Sequence, residues 1–426
     1  MALKIIKINS APARIALIAV AIAAIFSAWL FGKWNFANAV AERIDTAQPE
    51  AKSVADWLIS LAPSDPQTHF AAGRTFEKTF DPGDLDRSLA EYERAAALSP
   101  HHYVMWLNVG KARSLNGDAG GALSAYAEAL RLAPNYASVQ WAYGNALIRQ
   151  GRVDEGFAMI TNAAAGNPDY ARTTALTALE MFDGDLTQVR RALGESDSMS
   201  AALAAVLAKQ GRFDEAVETW SRIGDRSGHQ KLGLSLIEQL ATAKRFQLAA
   251  RISAGLQGDV GEKPESGKIL NGGFETNVKL KDAGLFEWQI GAGAKPQIGQ
   301  AEGGAHAGRY SLIFVFDTFA TADFRSISQI VPVEPGAEYE LELFYKSDVK
   351  SSASLRWEIA NAVNLATVAA APPITPAAGW TSAKVKFTVP AAADAVIVRL
   401  GRDGCNGPSC PFSGKVSFDD LSLRKL

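Results

Sequence analysis

Three hydrophobic patterns follow one another along the chain. Between Ile15 and Gly32 the sequence IALIAVAIAAIFSAWLFG runs for eighteen residues without a charge. As a helix it spans about 27 Å at about 1.5 Å per residue, close to the hydrocarbon thickness of a bilayer. From residue 45 to 256 apolar positions recur at helical spacing, punctuated by proline and glycine. The stretch LQGDVGEKPESGK, from Leu256 to Lys268, breaks that rhythm with Gly, Pro and charge and reads as a linker. After it the period falls to two. SISQIVPV, YELELFY, SLRWEI, AKVKFTVP, AVIVRL and VSFDDLSL are short alternating segments bounded by Gly and Pro, which predict an antiparallel sandwich. The expected protein is multidomain: a basic tail (1–14), a transmembrane helix (15–32), an all-α solenoid (45–256), a linker (257–268) and an all-β sandwich (269–426).

Charge orients the apolar run. Lys4, Lys7 and Arg14 precede it with no acid among them, whereas Lys33 and Arg43 are mixed with Glu42, Asp45 and Glu50 behind it. The basic side stays in the cytoplasm, so a single-pass protein of the inner, cytoplasmic membrane is expected, its domains periplasmic or extracellular. Trp29 and Trp34 suit an interfacial anchor. The competing reading is a cleaved signal peptide with Ala37-Asn38-Ala39 as an A-x-A site; the length of the apolar run favours the anchor.

The helical segment repeats. Pro66, Pro100, Pro134 and Pro168 are spaced by 34 residues, and Gly110 with Gly144, Gly117 with Gly151, Tyr92 with Tyr126, and Ala95 with Ala129 and Ala163 recur between them. A proline per helix pair cannot continue a helix but can begin the next turn, and small residues let neighbouring helices approach beside an aromatic. This pattern resembles the tetratricopeptide repeat family, best from Tyr103 to Tyr136 through Trp106, Gly110, Ala122, Tyr126, Ala129 and Pro134. RQGRVDEG from Arg149 returns as KQGRFDEA from Lys209, 60 residues later and off the period, so an inserted irregular segment is expected between them. Ala201 to Leu256 would then be a degenerate repeat with a capping pair. The resemblance implies a groove for a protein partner, with Asn108, Arg113, Asn145 and Arg149 as its candidate lining residues. Plain solvation of those side chains, with the repeats as a spacer, is the alternative.

From Ile269 the alternating segments resemble the jelly-roll carbohydrate-binding modules. Asn271-Gly272-Gly273-Phe274-Glu275, Trp288, Gly308-Arg309-Tyr310-Ser311-Leu312, Ser328-Gln329-Ile330-Val331, Pro335-Gly336 with Tyr339, Trp380-Thr381 and Phe418-Asp419-Asp420-Leu421-Ser422-Leu423 carry the likeness in order. It implies a structural calcium held by Glu275 and Asp419, oxygen ligands of the hard kind, unless these are simply turn formers. Sugar binding needs an aromatic face flanked by planar polar groups. Strand parity assigns Trp357 to the core and exposes Phe344, Arg356 and Glu358; with loop residues Phe319 and Phe324 these are the candidate glycan contacts. A solvated sheet laced with ion pairs is the competing reading.

Composition removes other classes. With 43 basic and 45 acidic residues the net charge is −2, which leaves no footprint for nucleic acid. No two of the five histidines have metal-binding helical spacing. Cys405 and Cys410, in the loop GCNGPSC, read as a loop-pinning disulfide in an exported protein. There is no G-x-S-x-G, H-E-x-x-H, P-loop or dinucleotide fingerprint, so no enzyme is expected and no cofactor is required apart from the candidate calcium. The expected function is a membrane-anchored exported scaffold that recruits a protein through its repeats and binds a polysaccharide through its sandwich, as in bacterial envelope or exopolysaccharide assembly. A scaffold without sugar affinity is the first alternative, and a polysaccharide-modifying enzyme the second.

Overall fold

The computed structural model describes residues 10–46, 48–79, 81–256, 261–317, 324–351, 353–403 and 411–426. The chain divides into two compact units, Met1–Glu195 and Ser196–Leu426.

In the first unit, α1 (Ala11–Ala41) is followed by α2 (Ala51–Leu61), α3 (Pro66–Thr79), α4 (Asp84–Leu98), α5 (Tyr103–Leu115), α6 (Ala119–Leu132), α7 (Ala137–Arg149), α8 (Val153–Gly166), α9 (Asp169–Met181) and α10 (Leu186–Leu193). From α3 onward the helices form successive hairpins. What closes the α3–α4, α5–α6 and α7–α8 hairpins is the contact of a glycine with an aromatic or branched side chain opposite. A Cβ on Gly73 would stand 2.8 Å from the Tyr92 ring, one on Gly110 2.6 Å from Tyr126, and one on Gly144 2.7 Å from Ile160. Ile160 stands where Tyr126 stands in the hairpin before it. The turn within each of these three hairpins is made by Gly83, Gly117 or Gly151, with φ near +80°, a conformation that a Cβ penalises.

The proline ruler is off by three residues at its start. Ala62, Ser99 and Ala133 end their helices with nearly the same backbone, φ −137°, −136° and −140° with ψ 66°, 68° and 66°, and each precedes a proline. Pro63, not Pro66, is therefore the counterpart of Pro100 and Pro134. Three extra residues lie between Gly73 and Gly83, which restores the 34-residue step by coincidence at Pro66. This also explains why the first helix of that repeat is hard to recognise in the sequence. Nor is there an insertion further on. The helix pair α9–α10 is shortened, α10 having only 8 residues before Gly194 turns the chain at φ +71°, and that shortening produces the 60-residue offset.

α1 belongs to the unit only by its end. Most of its length is exposed, and the helix is long and apolar enough to cross a membrane. Its last turns instead pack: Ala37 and Ala41 are buried with Leu58, Ala62 and Ala71 of α2 and α3.

The second unit opens with α11 (Asp197–Lys209), α12 (Phe213–Ser221), α13 (Gln230–Thr242) and α14 (Phe246–Leu256). The sandwich then has one sheet in the order β1 (Gln289–Ile290), β4 (Ile327–Pro332), β10 (Ala395–Asp403), β7 (Ser354–Asn361) and β8 (Thr367–Ala370). The facing sheet runs β2 (Gln297–Glu302), β3 (Tyr310–Phe316), β11 (Phe412–Lys425), β5 (Glu338–Ser347) and β9 (Ala377–Thr388), with β6 (Lys350–Ser351) paired to β11. All described pairings are antiparallel. Trp357, Phe418, Phe314 and Phe274 fill the space between the sheets, as the alternation requires. The sandwich also caps the last helix. Asp394 accepts from the Phe246 and Gln247 backbone N–H groups at 3.3 and 3.1 Å, and Gln247 Nε2 donates to Val333 O at 2.7 Å.

Gly110→Ala is expected to lower the stability of the full chain by about 1–3 kcal/mol, the usual cost of overpacking a close contact. Gly120→Ala, where no heavy atom lies within 4 Å of the added carbon, should not lower it. Denaturant unfolding followed by helical circular dichroism distinguishes the two.

Candidate functional site

The outer face of the second sheet is built from short side chains. Along adjacent strands Ala301, Ser311, Ile313 and Ser417 alternate outward, with Lys346 and Lys415 standing among them around a trough of about 380 Å³. Register explains the trough: Ser417 is paired with Ile313 on one side and Lys346 on the other, so residues with little bulk lie side by side across β3 and β11.

Beside the trough, reached through Lys346, stands an aromatic group. Phe344 on β5 is covered by the imidazole of His306, ring centroids 3.7 Å apart and 13° from parallel, and Trp380 on β9 meets His306 edge-on at 5.8 Å. The Lys346 ammonium lies 4.8 Å from the Trp380 ring centroid. Lys346 Nζ and Trp380 Nε1 both donate to Gly304 O, at 2.6 and 3.3 Å. His306 and Gly304 belong to the loop from Gly303 to Arg309, which folds back onto the sheet.

A buried carboxylate holds that loop. Asp419 is fully buried; its Oδ2 accepts from His306 N at 2.7 Å and Ala307 N at 3.3 Å, and its Oδ1 from Asp420 N at 2.8 Å. Burial pushes its carboxyl pKa up, against the pull of those backbone donors. The His306 ring Nδ1 is 2.6 Å from Asp420 Oδ2. Glu275 ties down the far end of the loop, its Oε1 accepting from Arg309 N and Tyr310 N at 2.9 and 3.0 Å. Gly273 lies between the two carboxylates: a Cβ there would stand 3.8 Å from Asp419 Oδ1 and 4.0 Å from Glu275 Cγ. Among the described residues, no group of three or more His, Cys, Asp or Glu side chains could hold a metal. A calcium at this corner would therefore draw on Glu275, Asp419 and backbone carbonyls.

The residues singled out in the sequence do not form one site. Phe344 lies beside the trough. Arg356 and Glu358 are on the other sheet, on the opposite side of the sandwich, and each is paired, Arg356 with Asp403 at 2.7 Å and Glu358 with Arg399 at 2.9 Å. Phe324 packs on the core beneath the Arg402 guanidinium, 5.2 Å from its ring centroid. Phe319, Cys405 and Cys410 lie outside the described residues. A smaller cavity of about 210 Å³ beside Trp288 offers no ring face, because Trp288 is buried in the core, and Lys279 there is paired with Glu287. Trp380, His306 and Lys346 complete the aromatic group. Parity could have found Trp380, which shares a face with Ser382, Lys384 and Lys386; His306 is in a loop and left no signal.

Among the helices, one polar line crosses the first helices of three hairpins. Lys111 on α5 pairs with Glu77 on α3, and Arg149 Nη1 on α7 reaches Ser114 Oγ on α5 at 3.4 Å. Tyr92 donates to Glu77 at 2.9 Å, and Arg74 Nε is buried without a partner. Arg149 is thus on the line. Asn108 and Asn145 instead donate to Val104 O and Trp141 O within their own helices, both at 2.8 Å, and Arg113 turns to Glu93 at 2.7 Å and Gly121 O at 3.2 Å. Arg74, Lys111 and Asn145, each following the close-packed glycine of its hairpin, are the equivalent positions.

Residues 113–180 match the tetratricopeptide repeat family model. The segment is a tetratricopeptide-repeat array. Such repeats are a protein-interaction module, and the hairpins with their glycine contacts are its structural form. A comparison with curated proteins gives no match. Solved structures similar to the chain include CBM4, at 16% identity over 37% of this chain and 99% of that one with a TM-score of 0.29. TmCBM61 in complex with β-1,4-galactotriose aligns at 15% identity over 37% of this chain and 99% of that one, TM-score 0.28. YrrB, a TPR protein with an unusual peptide-binding site, aligns at 14% over 48% of this chain and 93% of that one, TM-score 0.26.

Asp419→Asn replaces an acceptor of two loop N–H groups with an amide that also carries donors. The expected loss is about 1–3 kcal/mol, the cost of stranding buried donors. Hydrogen exchange should rise at His306 and Ala307 before the strands are affected.

Proposed function

We propose that the protein is a membrane-anchored scaffold whose tetratricopeptide repeats take a protein partner while the second sheet of its sandwich holds a polysaccharide, in an envelope or exopolysaccharide assembly. The observation that carries the glycan half is the trough of small side chains running across β3 and β11 to the aromatic group of Trp380, His306 and Phe344. A sugar ring needs that combination of an apolar ring face with hydrogen-bonding groups beside it. Lys346, Ser417, Ser311 and Lys415 supply the latter. Among the described lining residues Asp348 is the one carboxylate, whereas glycoside hydrolysis takes a pair, so binding rather than cleavage is the reading we adopt.

The anchor reading rests on Ala37. Removal of the chain through Ala39 would strip Ala37 from its buried contacts with Leu58, Ala62 and Ala71, and would leave apolar surface on α2 and α3 exposed. These contacts and the basic residues preceding α1 support the reading of α1 as a retained inner-membrane span with the other domains periplasmic.

A second reading, a protein scaffold without sugar affinity, draws on the remainder of the same sheet face. Glu342 pairs with Lys384 at 2.8 Å, and Glu340 with Arg424 at 3.0 Å, which makes that part an ordinary solvated surface. Affinity electrophoresis of the full chain against a panel of bacterial and plant polysaccharides separates the two. Retardation by one of them, lost in Trp380→Ala and kept in Arg356→Ala, is the expected result. Absence of retardation across the panel would favour the scaffold.

We also propose that calcium is held by Glu275 and Asp419, where it would neutralise the buried Asp419 carboxylate and join the first segment of the sandwich to β11. Calcium should then raise the melting temperature and a chelator lower it, and the shift should vanish in Glu275→Gln. An unchanged melting temperature in the wild type would count against the site.

A further inference from the structure

The solenoid carries an aromatic pair where it leaves α1. Phe36 on α1 and Trp57 on α2 meet edge-on, with ring centroids 6.1 Å apart and planes at 87°. Both are exposed, Phe36 by 56% and Trp57 by 45%. Further along α1, Trp29 and Phe31 are exposed by 56% and 64% and Trp34 by 39%. Phe36 follows Gly32, the last residue of the uncharged run, by four residues, which is about 6 Å of helix. The interfacial layer on each side of the hydrocarbon is about 5–7 Å deep. Phe36 therefore falls within that layer, and Trp57 is held against it by the ring contact. The flanking charge does not oppose the approach, because Asp56, next to Trp57, is paired with Arg87 at 2.5 Å.

We propose that the Phe36–Trp57 pair docks α2 onto the lipid interface, so that the first helices of the solenoid lie against the membrane surface instead of hanging from it on a free stalk. The occupant is the boundary between phospholipid headgroups and acyl chains, where tryptophan is enriched because its ring is apolar and its N–H is polar. Two features make the attachment rigid. α1 continues without a break from the span to Ala41, and its last turns are buried against Leu58, Ala62 and Ala71, so α2 cannot swing away from the helix that crosses the bilayer. The inference rests on the reading of α1 as a membrane span.

The test uses the full chain reconstituted in phospholipid vesicles whose acyl chains are brominated near the headgroup. The emission of Trp57 is obtained by subtracting the spectrum of Trp57→Phe from that of the wild type, and that of Trp29 in the same way from Trp29→Phe. Trp→Phe at exposed positions keeps an aromatic ring, and a melting curve for each variant confirms that it is folded. The expected result is loss of both components in brominated vesicles, with Trp57 shielded from iodide in the aqueous phase. Quenching of Trp29 while Trp57 stays bright and open to iodide would overturn the docking and leave the anchor in place. Quenching of neither would overturn the anchor, and the docking with it.

Discussion

Asp419 is the constraint on which the candidate glycan surface depends. A carboxylate without solvent exposure is costly unless its oxygens are satisfied, and here three backbone N–H groups satisfy them. Two of those donors belong to the loop carrying His306. The carboxylate therefore decides where that loop lies. His306 then covers Phe344 and meets Trp380, and Gly304 O collects Lys346 Nζ and the indole N–H. The strand itself is adapted to this: the pairing of β11 with β5 shifts between Asp419 and Ser422, Asp420 adopts φ +47°, and Leu421 N turns to Gly272 O at 3.0 Å. The aromatic group beside the trough is thus a consequence of one buried charge in an irregular strand.

In the helical unit the corresponding constraint is a missing carbon atom. Gly73, Gly110 and Gly144 let the second helix of each of these hairpins lie against the first, and Lys111, directly after Gly110, pairs with Glu77 on the line that joins α3, α5 and α7. Packing and the candidate groove are set by adjacent residues, so a change in the glycine moves both. The same principle of small residues at a close contact operates once more at Ala37 and Ala41, where the long apolar helix α1 becomes the first wall of the solenoid.

Much of this was legible in the sequence because it is local. The uncharged run, the glycine and proline punctuation, the switch from helical to alternating period and the inward position of Trp357 are each written within a few tens of residues. Errors arose where a local ruler was read too far. The 34-residue step to Pro66 was a coincidence of three residues added between Gly73 and Gly83, and the 60-residue step came from a short α10, because spacing cannot tell an insertion from a deletion.

The grouping of the sandwich residues was another matter. Alternation with period two says which side chains leave the core, and it put Phe344, Arg356 and Glu358 outside correctly. It cannot say through which sheet they leave. Strands β5 and β7 are separated in sequence only by the two-residue β6 but lie in different sheets, so Phe344 emerges beside the trough while Arg356 and Glu358 emerge on the opposite side, already paired. Strand partnership is decided by contacts between residues far apart in the chain, Phe418 against Tyr345 and Trp357 against Leu400. The sequence by itself determined the elements, their order and their buried faces, since those follow from near-neighbour sterics and hydrophobic period. Only the tertiary structure decided which exposed residues share a surface, because that depends on the long-range order of the strands and on where a buried carboxylate pins a loop.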